Sequence, residues 1–305
     1  MNRYFLLWML MSGVVLVSGI WWTFRISVKA RELSFIQDAP PVPHTRTGDF
    51  RTHEKFHSRF LLHDRDVLVY LPPGYETNKK RRYPVLYLQD GQNLFDGATA
   101  FVKGQEWRVD ETAQRLIETG AIEPLIIVGV YNTSGRTDEY TPNIDPKYKV
   151  GGLADRYGRM LTEELKPLID ANYRTRPEAS QTGLGGSSLG GLVSLYLGLK
   201  YPNTFGRVAV ISPSVWWGDR HILKAVNDLP HKLPFRIWLD MGTSEGGGEA
   251  EIHLNNARAL REALLAKGWR LGSELYYYEA AGASHSEGAW ADRVDLILRF
   301  LFPQP

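Results

Sequence analysis

Gln181-Thr182-Gly183-Leu184-Gly185-Gly186-Ser187-Ser188-Leu189-Gly190-Gly191 is the stretch that decides the fold of this chain. It joins a short run with strand character (182–185) to a helical run (192–200), and Gly-x-Ser-x-Gly stands between them, centred on Ser188. A sharp strand-to-helix turn crowds the positions two before and two after its apex. Glycine at 186 and 190 relieves that crowding. The turn lifts the Ser188 hydroxyl above a helix N-terminus, where the Leu189 N–H faces a developing negative oxygen. Centring the motif on Ser187 instead would put Leu189 where the second glycine belongs. The bland alternative is a Gly-rich turn that only packs a helix closely on a sheet.

A serine is nucleophilic at neutral pH only beside a base, and histidine has the suitable pKa. Where such a turn is catalytic, an acid and then a histidine follow it along the chain. Of the eight histidines, His231, His253 and His285 meet that order. His231 sits in a Pro-flanked linker, and His253 lies in an amphipathic helix where a solvated face is the ordinary role. His285 lies in Ala281-Gly282-Ala283-Ser284-His285-Ser286, small residues that let a loop turn sharply, and it is the expected base. The acid is expected after the preceding strand. Asp240 at the strand end and Glu245 further into the loop are the candidates, and Glu245 has more freedom to reach an imidazole. A second oxyanion donor is expected from Asp90-Gly91-Gln92-Asn93 after an earlier strand, with the Gln92 N–H as candidate; a plain turn is the alternative.

Outward from the turn, strand and helix alternate. Strands are expected at 66–71, 84–89, 125–130, 182–185, 207–211, 236–240 and 274–278, several of them short apolar runs suited to a buried parallel sheet. Amphipathic helices are expected at 154–171, 249–267 and 289–302. This alternation predicts an α/β fold with a mostly parallel central sheet and helices on both faces, with ligands beyond the carboxyl ends of the strands.

The chain has 305 residues, 43% hydrophobic and 23% charged, with a net charge of +2. That balance gives no electrostatic case for nucleic acid. There is no cysteine, which excludes disulfides, thiolate metal sites and a cysteine nucleophile. Residues 4–24 are uncharged, with Arg3 before them and Arg25, Lys29 and Arg31 after. As a helix they span about 31 Å, close to the ~30 Å hydrocarbon core. Residues 1–30 are therefore expected to be an apolar helix that anchors the chain in a membrane. A signal cleaved near Val28-Lys29-Ala30 and a buried core helix are the alternatives. Arg3 favours an extracytoplasmic catalytic domain. Residues 31–55, with Pro40, Pro41 and Pro43, are expected to be a linker, and 56–305 the globular domain.

From about residue 56 to 302 the chain resembles the esterase D-like group of α/β-hydrolases. Val69-Tyr70-Leu71-Pro72-Pro73-Gly74-Tyr75 looks like the group's opening strand, Tyr87-Leu88-Gln89-Asp90-Gly91-Gln92-Asn93 like its oxyanion loop, and Ser187-Ser188-Leu189-Gly190-Gly191 like its elbow. The enterochelin (siderophore) esterases are similar at further points: Arg136-Thr137-Asp138-Glu139, Ser212-Pro213-Ser214-Val215-Trp216-Trp217, Gly242-Thr243-Ser244-Glu245, and the spacing of His285 to Trp290. The resemblance implies an α/β-hydrolase fold and ester hydrolysis by Ser188, His285 and Glu245, with no cofactor or metal. It strengthens Glu245 over Asp240. Siderophore lactones and acetyl or feruloyl polysaccharide esters are the implied substrates. An acyltransferase and a silent tethered binding module are the competing readings. Trp216 and Trp217 are expected either to wall the site or to pack the core. Arg136 is expected either to meet an anionic substrate or to pair with Asp138 or Glu139.

Overall fold

The structure, a computed structural model, describes residues 41–304. The expected membrane segment at 1–30 and the first part of the linker lie outside the described residues. Among the described residues, no helix is long and apolar enough to cross a membrane.

The elements are β1 (Asp49–Phe56), β2 (Arg65–Leu71), β3 (Val85–Gln89), α1 (Val109–Glu118), β4 (Ile126–Val130), α2 (Arg136–Glu139), α3 (Ala154–Arg159), α4 (Lys166–Asn172), β5 (Thr182–Ser187), α5 (Leu189–Lys200), β6 (Arg207–Ile211), α6 (Trp217–Asn227), β7 (Arg236–Gly242), α7 (Ala250–Ala266), β8 (Leu275–Ala280), α8 (Glu287–Ala291) and α9 (Val294–Leu301). The strands form one sheet in the order β1-β2-β4-β3-β5-β6-β7-β8. β1 and β2 pair antiparallel, as do β2 and β4, and every pairing from β4 to β8 is parallel.

The inner parallel strands β3, β4 and β6 are buried on both faces, which is why they read as unbroken apolar runs, whereas β8 at the sheet edge is partly exposed. One face packs under Leu161, Leu192, Ile222 and Leu260, carried by or beside α3 to α7. The other packs under Leu116, Trp290, Ile297 and Leu298 of α1, α8 and α9. The chain runs from β3 to β4 on one side and from β5 to β6 on the other. The order therefore reverses between β3 and β5, where such sheets open a ligand crevice.

Three expectations need correction. Residues 44–55 are not linker. The Thr47 N–H donates to Asp110 at 2.6 Å, the His44 ring bonds Asp96 at 2.6 Å, and β1 closes the sheet edge against β2. The strand was hidden because Asp49–Phe56 is polar and largely exposed, so it lacks an apolar alternation. The expected helix at 154–171 contains a π-helical segment, Met160–Leu165, between α3 and α4, and the expected helix at 289–302 is split into α8 and α9.

Candidate active site

Ser188 follows β5 with φ 58° and ψ −122°, a conformation that a residue with a side chain holds only when its surroundings enforce it. Backbone bonds do so. The Ser188 N–H donates to the Ile211 carbonyl at 3.0 Å, and the Ser188 carbonyl accepts from Leu192 and Ser214, each at 3.1 Å. The glycines make room for the turn. A Cβ on Gly186 would lie 2.8 Å from Gln89 Cγ and 2.9 Å from the Gly190 carbonyl carbon, and one on Gly191 would lie 2.8 Å from the Ile211 oxygen.

His285 sits between β8 and α8. Its Nδ1 lies 2.7 Å from Glu245 Oε2, and its ring meets the edge of Trp290 at 4.9 Å. The loops carrying the two residues are stitched together: Ser244 N–H donates to the Ala283 carbonyl at 3.0 Å, and Gly282 N–H to Thr243 Oγ1 at 2.8 Å. Glu245 is 2% exposed. Burial alone would raise its carboxyl, but hydrogen bonds from His285, Ser212 and the Gly242 N–H bring it below its ordinary value of 4.5. An ionised carboxylate can only accept, so Nδ1 carries the imidazole proton and Nε2 is left for a hydroxyl.

Asp240, the other candidate acid, has different partners. It is fully buried and accepts from Ser212 N–H at 3.0 Å, Trp238 Nε1 at 2.6 Å and Arg293 Nη1 at 3.0 Å. Burial outweighs the Arg293 charge and pushes its carboxyl up to about 6.

Ser188 and His285 line two cavities in common. One, about 220 Å³, is walled by Pro213, Ser214, Trp216, Met241 and His253; the other, about 400 Å³, by Asp90, Asn93, Phe101, Asn132, Arg136 and Trp290. Ser188 Oγ lies 3.3 Å from Ser214 Oγ and makes no hydrogen bond to His285 in this structure. Such bonds are often loose without substrate and tighten in the complex. A larger cleft of about 660 Å³ opens at the amino ends of β6 and β7, away from Ser188. Of its cations, Arg176 and Arg207 are paired by Glu123 and Lys232 by Glu274, while Arg236 donates to the Phe300 carbonyl at 2.8 Å.

The two tryptophans part company. Trp216 is partly exposed and lines the smaller cavity, whereas Trp217 is 3% exposed and donates its Nε1–H to the Asn143 carbonyl at 3.0 Å. Arg136 lines the larger cavity but forms neither local pair expected of it. Its guanidinium grips both oxygens of Asp90 at 2.7 and 2.8 Å, while Glu139 is taken by Arg65. Pairing 46 residues apart is invisible to sequence spacing. Gln92 is fixed by its side chain, which accepts from the Asn132 N–H at 3.2 Å, and by its carbonyl, which accepts from Thr99 at 2.8 Å.

Sequence reasoning missed Arg293, which reads as a solvated helix cation but is 2% exposed, and gave no role to Ser212, which is buried at φ 42°. Among the described residues, no group of three or more His, Asp or Glu side chains converges as a metal-binding set.

The protein family described as "Putative esterase" matches residues 58–301. The chain belongs to this esterase family. The esterase is 29% identical over 224 residues to the ferri-bacillibactin esterase BesA of Bacillus subtilis, covering 67% of this chain and 73% of that protein. It is 32% identical over 148 residues to an endo-1,4-beta-xylanase/feruloyl esterase of Xylanibacter ruminicola, covering 47% of this chain and 19% of that one. Its fold matches the BES protein of Bacillus cereus with a TM-score of 0.64 at 24% identity, over 84% of this chain and 95% of that one. The esterase thus has the α/β-hydrolase sheet and turn, with the Ser188 turn at the carboxyl end of β5.

Proposed function

We propose that the chain cleaves carboxylic esters through an acyl-enzyme on Ser188. One observation carries this reading: the strained Ser188 shares its cavities with a histidine whose Nδ1 is held by a buried carboxylate. His285 Nε2 takes the Ser188 proton as Oγ attacks the ester carbonyl. Glu245 stabilises the imidazolium that forms. Leu189 opens α5, and Gln92 lies in the first turn of a short 3₁₀ helix (Gly91–Asn93). Neither N–H has an acceptor within its own helix, so the pair suits a tetrahedral oxyanion. The imidazolium then protonates the leaving alcohol as the C–O bond breaks. Water, deprotonated by His285, attacks the acyl-enzyme and releases the acid.

The two cavities meeting at Ser188 suit the acyl and alcohol portions of one ester, with Trp216 as an aromatic wall for a ring or sugar face. The relatives named for ferri-bacillibactin and feruloyl esters support a siderophore lactone or a feruloyl polysaccharide ester as substrate, and an acetyl polysaccharide ester is the further candidate. The uncharged stretch at 4–24 supports a membrane tether with the domain on the extracytoplasmic side, or export after cleavage.

The test is side-by-side rates on acetylated xylan, methyl ferulate and a catecholate trilactone, with and without an added alcohol. Free acid should form from at least one substrate well above the spontaneous rate. No turnover of any ester would refute the reading, and transfer to the alcohol in place of acid release would make the protein an acyltransferase.

A further inference from the structure

A hydroxyl has one proton and two lone pairs. At Ser212 all three are committed. Its Oγ accepts from Trp290 Nε1 at 3.0 Å and from Arg293 Nη2 at 3.1 Å, and it lies 2.5 Å from Glu245 Oε1. With both lone pairs filled by N–H donors, the proton has one direction left, toward Glu245. The donors are themselves fixed: Arg293 Nη1 is clamped by Asp240 at 3.0 Å, and the Trp290 ring lies against His285.

The backbone at Ser212 makes the side chain harder to dismiss as packing. Its φ of 42° lies in the left-handed region, where glycine would sit without penalty. A serine here accepts strain in order to carry its hydroxyl. The hydroxyl also stands between two groups that would otherwise attract each other. Arg293 Nη2 is 3.9 Å from Glu245 Oε1, and a direct pair would draw the carboxylate away from His285. Instead Oε1 receives Ser212 and the Gly242 N–H at 2.7 Å, and Oε2 is left for His285 Nδ1.

We propose that Ser212 is a positioning residue for the active site: its hydroxyl, aimed by Trp290 and Arg293, holds Glu245 in the orientation that pairs with His285. This rests on the acyl-enzyme reading given above. The charged and titratable groups around Glu245 are His285 from the loop before α8, Arg293 from the α8–α9 junction, Asp240 behind it at β7, and His253 of α7 on the same cavity.

The test compares the rate of fluorophosphonate labelling, kcat and KM for a small ester, and the melting temperature of the full chain with those of Ser212→Gly, Trp290→Phe and Ser188→Ala. Ser212→Gly relaxes the backbone but leaves Trp290 Nε1 and Arg293 Nη2 short of an acceptor, so it should stay folded and melt somewhat below the wild-type temperature. Its labelling and kcat should fall on the order of 10- to 100-fold, with KM nearly unchanged. Trp290→Phe keeps the ring on His285 but loses one donor to Ser212, and should show a smaller fall in the same direction. Wild-type labelling by Ser212→Gly, whether or not its melting temperature drops, would overturn the proposal. An unlabelled wild type, or a labelled Ser188→Ala, would refute the acyl-enzyme reading instead.

Discussion

Two carboxylates five residues apart stand within one network, and their surroundings give them separate work. Glu245 reaches His285 and is held ionised; Asp240 is sealed against Arg293 and Trp238. Glu245→Gln should lower kcat on the order of 10⁴-fold by fixing the wrong imidazole tautomer, with little change in KM. Asp240→Asn leaves the buried Arg293 guanidinium without its carboxylate and should cost about 3 kcal/mol of stability, with a smaller loss of kcat than Glu245→Gln. The pH dependence has a definite sign. The folded Glu245 carboxyl lies below 4.5, so its ionised form contributes stability that is complete above 4.5 and is lost as pH falls through the folded value. The stability that the Glu245 charge gives wild type over Glu245→Gln should be lost as pH falls below about 4.5, as read by denaturant unfolding at a series of pH values. The positions of Ser188, Glu245 and His285 were legible because the turn, its glycines and the order of partners are local or sequential features. Ser212 and Arg293 were not, because their roles exist only once β6, β7 and the α8–α9 junction are brought together.

At the scale of elements, the segment after β6 shows how one sequence signal splits in space. Trp216 and Trp217 are neighbours, yet one faces the cavity beside Ser188 and the other is locked to the Asn143 carbonyl. Trp216→Ala should raise KM for aromatic esters with little effect on melting, whereas Trp217→Ala should cost about 3–5 kcal/mol of stability, measured by unfolding and steady-state kinetics together. The dipeptide alone gives no ground for choosing between them, since its i and i+1 side chains point in different directions and only the path of the chain decides which is inside. The same logic separates the strands. β3, β4 and β6 were legible because parallel strands covered on both faces are apolar throughout. β1 was not, because an edge strand with a polar, exposed sequence carries no such signature. α1 also escaped notice, although it packs Ala113, Leu116 and Ile117 against the sheet.

For the molecule as a whole, the sheet order explains why the site stands where it does. The reversal between β3 and β5 opens a crevice at their carboxyl ends. The Gln92 loop follows β3, the Ser188 turn follows β5, and the loops of Glu245 and His285 follow β7 and β8. Residues separated by almost two hundred positions in the chain therefore meet at one edge of the sheet, with Arg136 and Asp90 neutralising each other beside them. The family membership fixes the reaction as that of an esterase; the charges and cavities around Ser188 bear on which ester it takes. The central claim, that Ser188 is the acylated nucleophile, is tested most directly by intact-mass and peptide mapping after fluorophosphonate treatment. The account predicts a single adduct on the peptide containing Ser188, absent from Ser188→Ala. An unmodified wild type, or an equal adduct on the Ser188→Ala protein, would contradict it.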